Sequence, residues 1–346
     1  MSDPIRRLDL GAVSPLRSQA VYHGLAAALD AGAPDTIVFC RPAAPYFCVG
    51  FHQEPAAELR ARWCRTHGYP VLHRKIGGGT VLLDGNQLFY QCVFHRSRAP
   101  FDVASIYRRF LSPVVEALRR LGVRAELAQV NEIEAGGRRV AGTGGGQLDE
   151  AVVVVGNVLF DFPCALMAEA WRVPSAPFRR LAEDGLRRYL TTLRRELGDP
   201  PAVEHVTETL AACYAEALGR PLVRGGLSRA EDAAIERAEA ELGDGTGRRP
   251  PSRRARRLKI ARGTFVWEDR RDTTSGPLWL TVRTRAETLD AVVARPARWR
   301  PLARALEGRR LERASLLAAV GGTPAGRELV ETLLTVTSPS RPSRHG

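Results

Sequence analysis

Residues 74–84 read Arg-Lys-Ile-Gly-Gly-Gly-Thr-Val-Leu-Leu-Asp, with Gly77, Gly78 and Gly79 set between two strand-like runs. Three adjacent glycines raise the entropic cost of ordering the backbone and leave no side chains to pack. A chain keeps such a segment where its backbone must come close to something else. Arg74 and Lys75, immediately before the glycines, point to an anion. On spacing alone, a flexible hairpin turn with solvated cations beside it is the other reading.

The chain has 346 residues, enough for two domains, and its 44% apolar content allows a substantial core. No window approaches the roughly 20 uninterrupted apolar residues of a membrane span. The first residues, Met1 to Arg7, lack the apolar stretch of a secretory signal. A cytoplasmic location without membrane partners is therefore expected. The six cysteines are scattered and form no CxxC pair, so neither a zinc site nor a disulfide framework is expected, and no metal-ligating cluster is apparent.

The net charge of +13 favours acidic partners. It is almost wholly arginine, since Lys75 and Lys259 are the only lysines. No aromatic RNP-like strand or helix-turn-helix pattern accompanies it, so nucleic acid is not the expected partner.

The apolar spacing predicts helices over 15–29, 55–67, 103–121, parts of 165–218, and 228–242. Strands are expected at 36–40, 46–50, 70–73, 80–83, 88–94, 125–133, 138–141 and 151–160. Gly136-Gly137 is a hairpin signal, and a glycine-rich loop is expected at 142–146. Residues 243–257 are glycine, proline and arginine without apolar content and read as a basic linker. Beyond them strands at 258–267, 277–283 and 289–294 precede helices near 302–306 and 315–320. The expected organisation is a domain over 1–242, the linker 243–257, a smaller domain over 258–337 and a disordered tail over 338–346. Strands grouped with intervening helices favour an α+β fold over a doubly wound sheet.

The second glycine-rich segment, Arg138-Arg139-Val140-Ala141-Gly142-Thr143-Gly144, also follows arginines. Backbone N–H groups in such segments form concave anion nests, and arginine adds a planar donor fork. Neither segment fits a P-loop. Gly142-Thr143-Gly144 is followed by a strand rather than the helix that a dinucleotide fingerprint needs.

These segments resemble the lipoate–protein ligase branch of the biotin/lipoate ligase and octanoyltransferase superfamily. Arg74 to Asp84 is similar to that family's Arg-x-(Ser/Thr)-Gly-Gly-Gly-x-Val-x-x-Asp. Asn131-Glu132-Ile133 resembles its Asn-Asp-Ile. Gly137 to Gly142 resembles Gly-x-Lys-Ile/Val-Ser/Ala-Gly. Val155-Gly156-Asn157-Val158-Leu159 resembles its His-Gly-Thr-Leu-Leu strand without the histidine. Val49-Gly50-Phe51-His52-Gln53 resembles its early Val-Gly-x-x-Gln. The matches keep the family's order over roughly residues 6–240, and Leu258 to Gly263 resembles the start of its accessory domain.

The resemblance implies a catalytic α+β domain of mixed and antiparallel sheets with flanking helices, plus a small α+β accessory domain. It implies ATP-dependent attachment of lipoate, through a lipoyl-adenylate, to a lysine of lipoyl-domain carrier proteins, with Mg2+ as cofactor. Such carriers include 2-oxoacid dehydrogenase acyltransferase subunits and the glycine cleavage carrier protein. By this resemblance Arg74 and the backbone at Gly77, Gly78, Gly79, Thr80, Val81 and Leu82 hold the phosphate and acyl carbonyl. Asn131 and Glu132 serve magnesium and phosphates, and Gly142, Thr143 and Asn157 complete the binding wall.

The family places a lysine where this chain has Arg139. Arginine keeps the charge but is longer and planar. Arg139 acts in a relaxed pocket, or Lys75 or Lys259 supplies the ammonium from another direction, or the chemistry has changed. Arg139, Lys75 and Lys259 are thus the catalytic candidates. Octanoyltransferases of the superfamily use a cysteine nucleophile. Cys164 is the candidate for that reading, although no histidine lies near it in sequence. A catalytically altered lipoyl-binding homologue is a further alternative. The Gly-Arg-Gly-Arg-x-Gly-Arg loop of biotin ligases is missing.

Overall fold

The structure is a computed structural model and describes residues 3–242, 257–261 and 263–337. The basic linker expected at 243–257, apart from Arg257, and the tail expected at 338–346 lie outside the described residues. The fold is α+β. Contacts divide it into two compact units, the first running to Pro163 and resuming at Arg188, the second taking Cys164–Arg187 and the C-terminal residues. Residues 164–187, expected within the domain over 1–242, thus group with the second unit.

The first unit is built on an eight-stranded mixed sheet. Its centre is Gln87–His95, buried at every position. A strand buried at every position, here apolar but for Gln87, Gln91 and His95, is covered on both faces. Gln87–His95 pairs antiparallel with Thr36–Pro42 on one side and with Ala151–Leu159 on the other. Ile5–Val13 extends the sheet by parallel pairing with Thr36–Pro42, and Arg138–Leu148 extends it antiparallel beyond Ala151–Leu159. The strand at Ile5–Val13 was not read from the sequence, because its arginines and aspartate interrupt the apolar pattern.

Successive side chains of a strand face opposite sides. Leu88, Tyr90, Cys92 and Phe94 pack under the helices Val103–Arg120 and Val203–Leu218, with Phe110, Val114 and Leu210. Val93 packs on the opposite side beneath the helices Pro15–Ala27 and Arg229–Leu242. Phe89, also on that side, meets a separate three-stranded sheet of Tyr46–Val49, Val71–His73 and Val81–Leu83. The glycine segment 77–79 connects the last two of these strands.

Two local expectations differ. The helix expected over 55–67 is two short ones, Pro55–Glu58 and Ala61–Thr66. Residues 142–146 do not form a loop but lie inside the strand Arg138–Leu148. Close packing explains those glycines: a Cβ on Gly142 would lie 2.2 Å from Asn157 Oδ1, and one on Gly145 2.9 Å from the Val153 carbonyl.

The second unit has a four-stranded antiparallel meander, Arg257–Ala261, Thr264–Thr273, Gly276–Arg285 and Thr288–Arg295. The single strand expected at 258–267 is thus a hairpin, turned at Gly263 with φ +71°. Leu278, Leu280 and Val282 form its core with Leu316, Leu329 and Leu333. Those last two sit on the helix Pro324–Thr337, which the sequence reading missed. Arg283, 1% exposed, is held by Asp184 and Asp290 and donates to the Leu181 carbonyl.

Candidate functional site

In the first unit a cavity of about 80 Å³ opens between the central sheet, the small sheet and the helix Pro15–Ala27. Phe89, Gln91 and Val155 form its floor from adjacent central strands, and Val81, Leu83 and Cys48 face them from the small sheet. Gln19 and Tyr22 close it from the helix, while Arg74, Gly142, Thr143 and Asn157 stand at its polar margin. Of the residues expected to bind substrate, the cavity therefore gathers Arg74, Val81, Gly142, Thr143 and Asn157.

Arg74 is 8% exposed. Its guanidinium donates to the carbonyls of Gly77 at 3.1 and 3.2 Å, Gly79 at 2.8 Å and Cys48 at 3.3 Å. It therefore shapes the glycine segment as well as bordering the cavity. Gly78 has φ +111°, and a Cβ there would lie 2.5 Å from Arg74 Nη2. Gly77 and Gly79 are different: a Cβ on either meets nothing within 4 Å. Their backbone is open, and the space beside it is available to a ligand.

A relay of side-chain amides joins the two glycine segments. The Gly142 N–H donates to Asn157 Oδ1 at 2.9 Å. Asn157 Nδ2 donates to Gln87 Oε1, and Gln87 Nε2 donates to the Leu82 carbonyl at 3.0 Å. The Thr143 hydroxyl donates to the Asn131 carbonyl. Thr80 Oγ1 donates to Gln53 Oε1 at 3.0 Å, and the Gly50 N–H reaches the same oxygen at 3.4 Å. The relay fixes the distance between the two segments, which is what preorganisation of a binding wall requires.

The three catalytic candidates have separate settings, and none lines the cavity. Arg139 and Glu132 form a two-pronged ion pair, with guanidinium Nε on Oε2 and Nη2 on Oε1. Lys75 Nζ binds Glu241 at the surface. Its backbone N–H donates to His23 Nε2 at 3.2 Å, while His23 Nδ1–H faces the Gln19 carbonyl at 2.8 Å. Burial, and secondarily the neighbouring Lys75 and Arg74 charges, hold His23 neutral, its pKa lowered to about 4 against the pull of the Gln19 bond. Lys259 belongs to the second unit, exposed on the edge strand of its sheet.

Magnesium does not find ready ligands where the sequence placed it. Both Glu132 oxygens are taken by Arg139, and Asn131 is bonded by Tyr107. Among the described residues no group of three or more His, Cys, Asp or Glu converges on a point.

The cysteine lining the cavity is Cys48, fully buried, whose thiol is pushed up by burial against the opposing charge of Arg74. Cys164 is half-buried in the second unit. Gln19, Tyr22, Cys48, Gln87 and Gln91 were not singled out from the sequence. Gln91 had a signal: it is the one polar residue inside 88–94, an otherwise apolar and aromatic run.

No helix among the described residues is long and apolar enough to cross a membrane. The family model for the lipoyl protein ligase A/B catalytic domain matches residues 14–215. The octanoyltransferase LipM of Symbiobacterium thermophilum is 28% identical over 263 residues, covering 69% of this chain and 95% of that protein. Lipoate–protein ligase 1 of Staphylococcus aureus is 24% identical over 160 residues, 46% of this chain and 48% of that protein. Among solved structures, the bipartite lipoate protein ligase of Thermoplasma acidophilum, described with its E2 lipoyl domain, superposes with a TM-score of 0.64 at 19% identity. That match covers 72% of this chain and 99% of the other. LipL1 of P. falciparum, solved in complex with lipoate, gives 0.57 at 10% identity over 95% of this chain. A model spanning more than half the sequence, over the same residues that build the cavity, makes the chain a member of the lipoyl protein ligase A/B catalytic domain family.

Proposed function

We propose that the protein is an ATP-dependent ligase that joins lipoate, or a closely related acyl chain, to a lysine of lipoyl-domain proteins through an acyl-adenylate. The acyl chain lies between Phe89, Val155, Val81 and Leu83, with its carboxylate at the margin formed by Arg74 and the glycine segments. A carboxylate oxygen attacks the α-phosphorus of ATP and pyrophosphate leaves. The acceptor lysine's uncharged amine then attacks the acyl carbonyl, the bond to AMP breaks, and the amine's proton is released.

Both steps place negative charge on oxygens near the open backbone of Gly77 and Gly79. Preorganised N–H donors and a fixed cation lower such barriers, commonly by about 3–4 kcal/mol per donor. Arg139 lies next to Val140-Ala141-Gly142 on the strand with its fork on Glu132; on this reading it serves as the fixed cation by exchanging Glu132 for the phosphate and acyl oxygens. Apolar walls exclude water from the reactive anhydride.

Within the cavity, burial of the one cysteine that lines it supports ligation over thioester transfer at that thiol. Acyl transfer through cysteine needs a thiolate, and Cys48 is buried with its pKa raised. The near-full-length match to LipM supports the second reading, transfer of octanoyl from an acyl carrier protein. Intact mass of a lipoyl-domain acceptor separates them. Ligation needs ATP and free acid, whereas transfer needs octanoyl carrier protein and no ATP, with an acyl-thioester of this chain as intermediate.

A further inference from the structure

Gln91 sits on the cavity floor at the middle of the central strand and is 1% exposed. It pairs across the sheet with Val38 and Val155, both apolar. Its Nε2 donates to the Ser18 carbonyl at 2.7 Å. A carbonyl can only accept, so this bond fixes which end of the amide is nitrogen. Among the described residues, no group donates to the remaining Oε1.

Two polar groups of the cavity wall are turned to other partners, and the Cys40 sulfur lies 3.9 Å from Gln91 Nε2, not on Oε1. The Gln19 amide nitrogen is turned to the Tyr46 hydroxyl at 2.7 Å, and the Tyr22 hydroxyl to Gln19 Oε1 at 3.1 Å. Leaving a buried acceptor unpaired is costly, and such atoms are uncommon without a role. A saturated chain end laid against Oε1 would keep it unpaired. The sulfur atoms of a closed dithiolane only accept weakly and would do little better.

We propose that Gln91 is a specificity residue that reads the far end of the acyl chain and selects one carrying an O–H or S–H donor there. Among medium-chain acids this means a terminal hydroxyl, or the thiols of the reduced, open dithiol form. The inference rests on the reading that the cavity holds the acyl chain.

Isothermal titration of the full chain with octanoate, 8-hydroxyoctanoate and reduced dihydrolipoate tests it. The wild type should bind 8-hydroxyoctanoate about tenfold or more tightly than octanoate, as one unsatisfied buried acceptor implies, with dihydrolipoate also ahead of octanoate. In Gln91→Met the preference should vanish while octanoate binding is kept or improved. Equal affinities in the wild type, or a preference that survives in Gln91→Met, would overturn the role of Gln91 and leave the acyl cavity standing. If none of the three acids binds, the acyl-cavity reading fails and the inference with it. The wild-type comparison needs no variant and stands even where Gln91→Met does not fold.

Discussion

Arg139 and Glu132, from neighbouring strands, grip each other through two hydrogen bonds of 2.5 Å each. The Glu132 side chain is 7% exposed and that of Arg139 23%. These are also two of the positions where the chain departs from the motifs it resembles, glutamate for aspartate and arginine for lysine. The structure makes the two departures one: the planar fork meets both oxygens of the longer acid, a match that a point-charge ammonium does not make.

Removing one partner of such a pair leaves the other charge to be accommodated, and the better-buried charge suffers more. Arg139→Ala should destabilise the first unit by about 3 kcal/mol, because it strands the Glu132 carboxylate. Glu132→Gln should cost about 1 kcal/mol, since Arg139 can turn to water. Arg139→Lys should fall between. Urea unfolding of the three variants checks the order, and equal losses would contradict it.

The glycine segment separates stability from binding. Gly78→Ala places a side chain at φ +111° and against Arg74 Nη2, and should cost about 1–3 kcal/mol. Gly79→Ala meets nothing and should change stability by less than about 0.5 kcal/mol. On the proposed reading it obstructs the ligand's approach and should weaken adenylation by about tenfold or more. Thermal denaturation alongside turnover tests both halves. Unaltered turnover in Gly79→Ala would show that the open space is not used.

The fold and the cavity were legible in the sequence to different depths. The buried strand Gln87–His95 and the helix Val103–Arg120 could be read because apolar runs and helical spacing are local signals. Arg74, which borders the cavity, could be singled out because it stands directly before the glycine run. The relay through Gln87 was not legible, since it joins residues 70 apart, Asn157 and Gln87, through space. Nor was the continuation of the strand 138–141 through Leu148, whose glycines reflect contacts with Asn157 and the Val153 carbonyl that no local pattern encodes. Lys75 and Lys259 stood out by rarity, a property of composition that carries no geometry.

His23 should give stability a pH dependence. Its pKa falls from an ordinary value near 6.5 to about 4 in the fold, chiefly through burial. The unfolded chain therefore binds the proton more readily. The stabilisation is fully present above pH 6.5 and is lost as pH falls toward 4. Between pH 7.5 and 5 the loss should reach about 2 kcal/mol, and His23→Gln should flatten that part of the profile. Urea midpoints at several pH values measure it. An unchanged slope in the variant would contradict the assignment.

The thiols should prove dispensable for ligation. Cys48 is fully buried and its pKa raised, so alkylation of the native protein at neutral pH should be slow there. Cys48→Ala and Cys164→Ala should each keep ATP-dependent acylation within a few-fold of wild type. Loss of acylation in either variant with the fold intact would turn the reading toward cysteine-based transfer.

The most direct measurement is pyrophosphate release on mixing the full chain with ATP, Mg2+ and lipoate, followed by a lipoyl-domain acceptor. Pyrophosphate should appear only when the acid is present, and the acceptor should then gain one lipoyl mass on a lysine. An acceptor that stays unmodified with ATP and acid, but is acylated from octanoyl carrier protein without ATP, would contradict the ligase account.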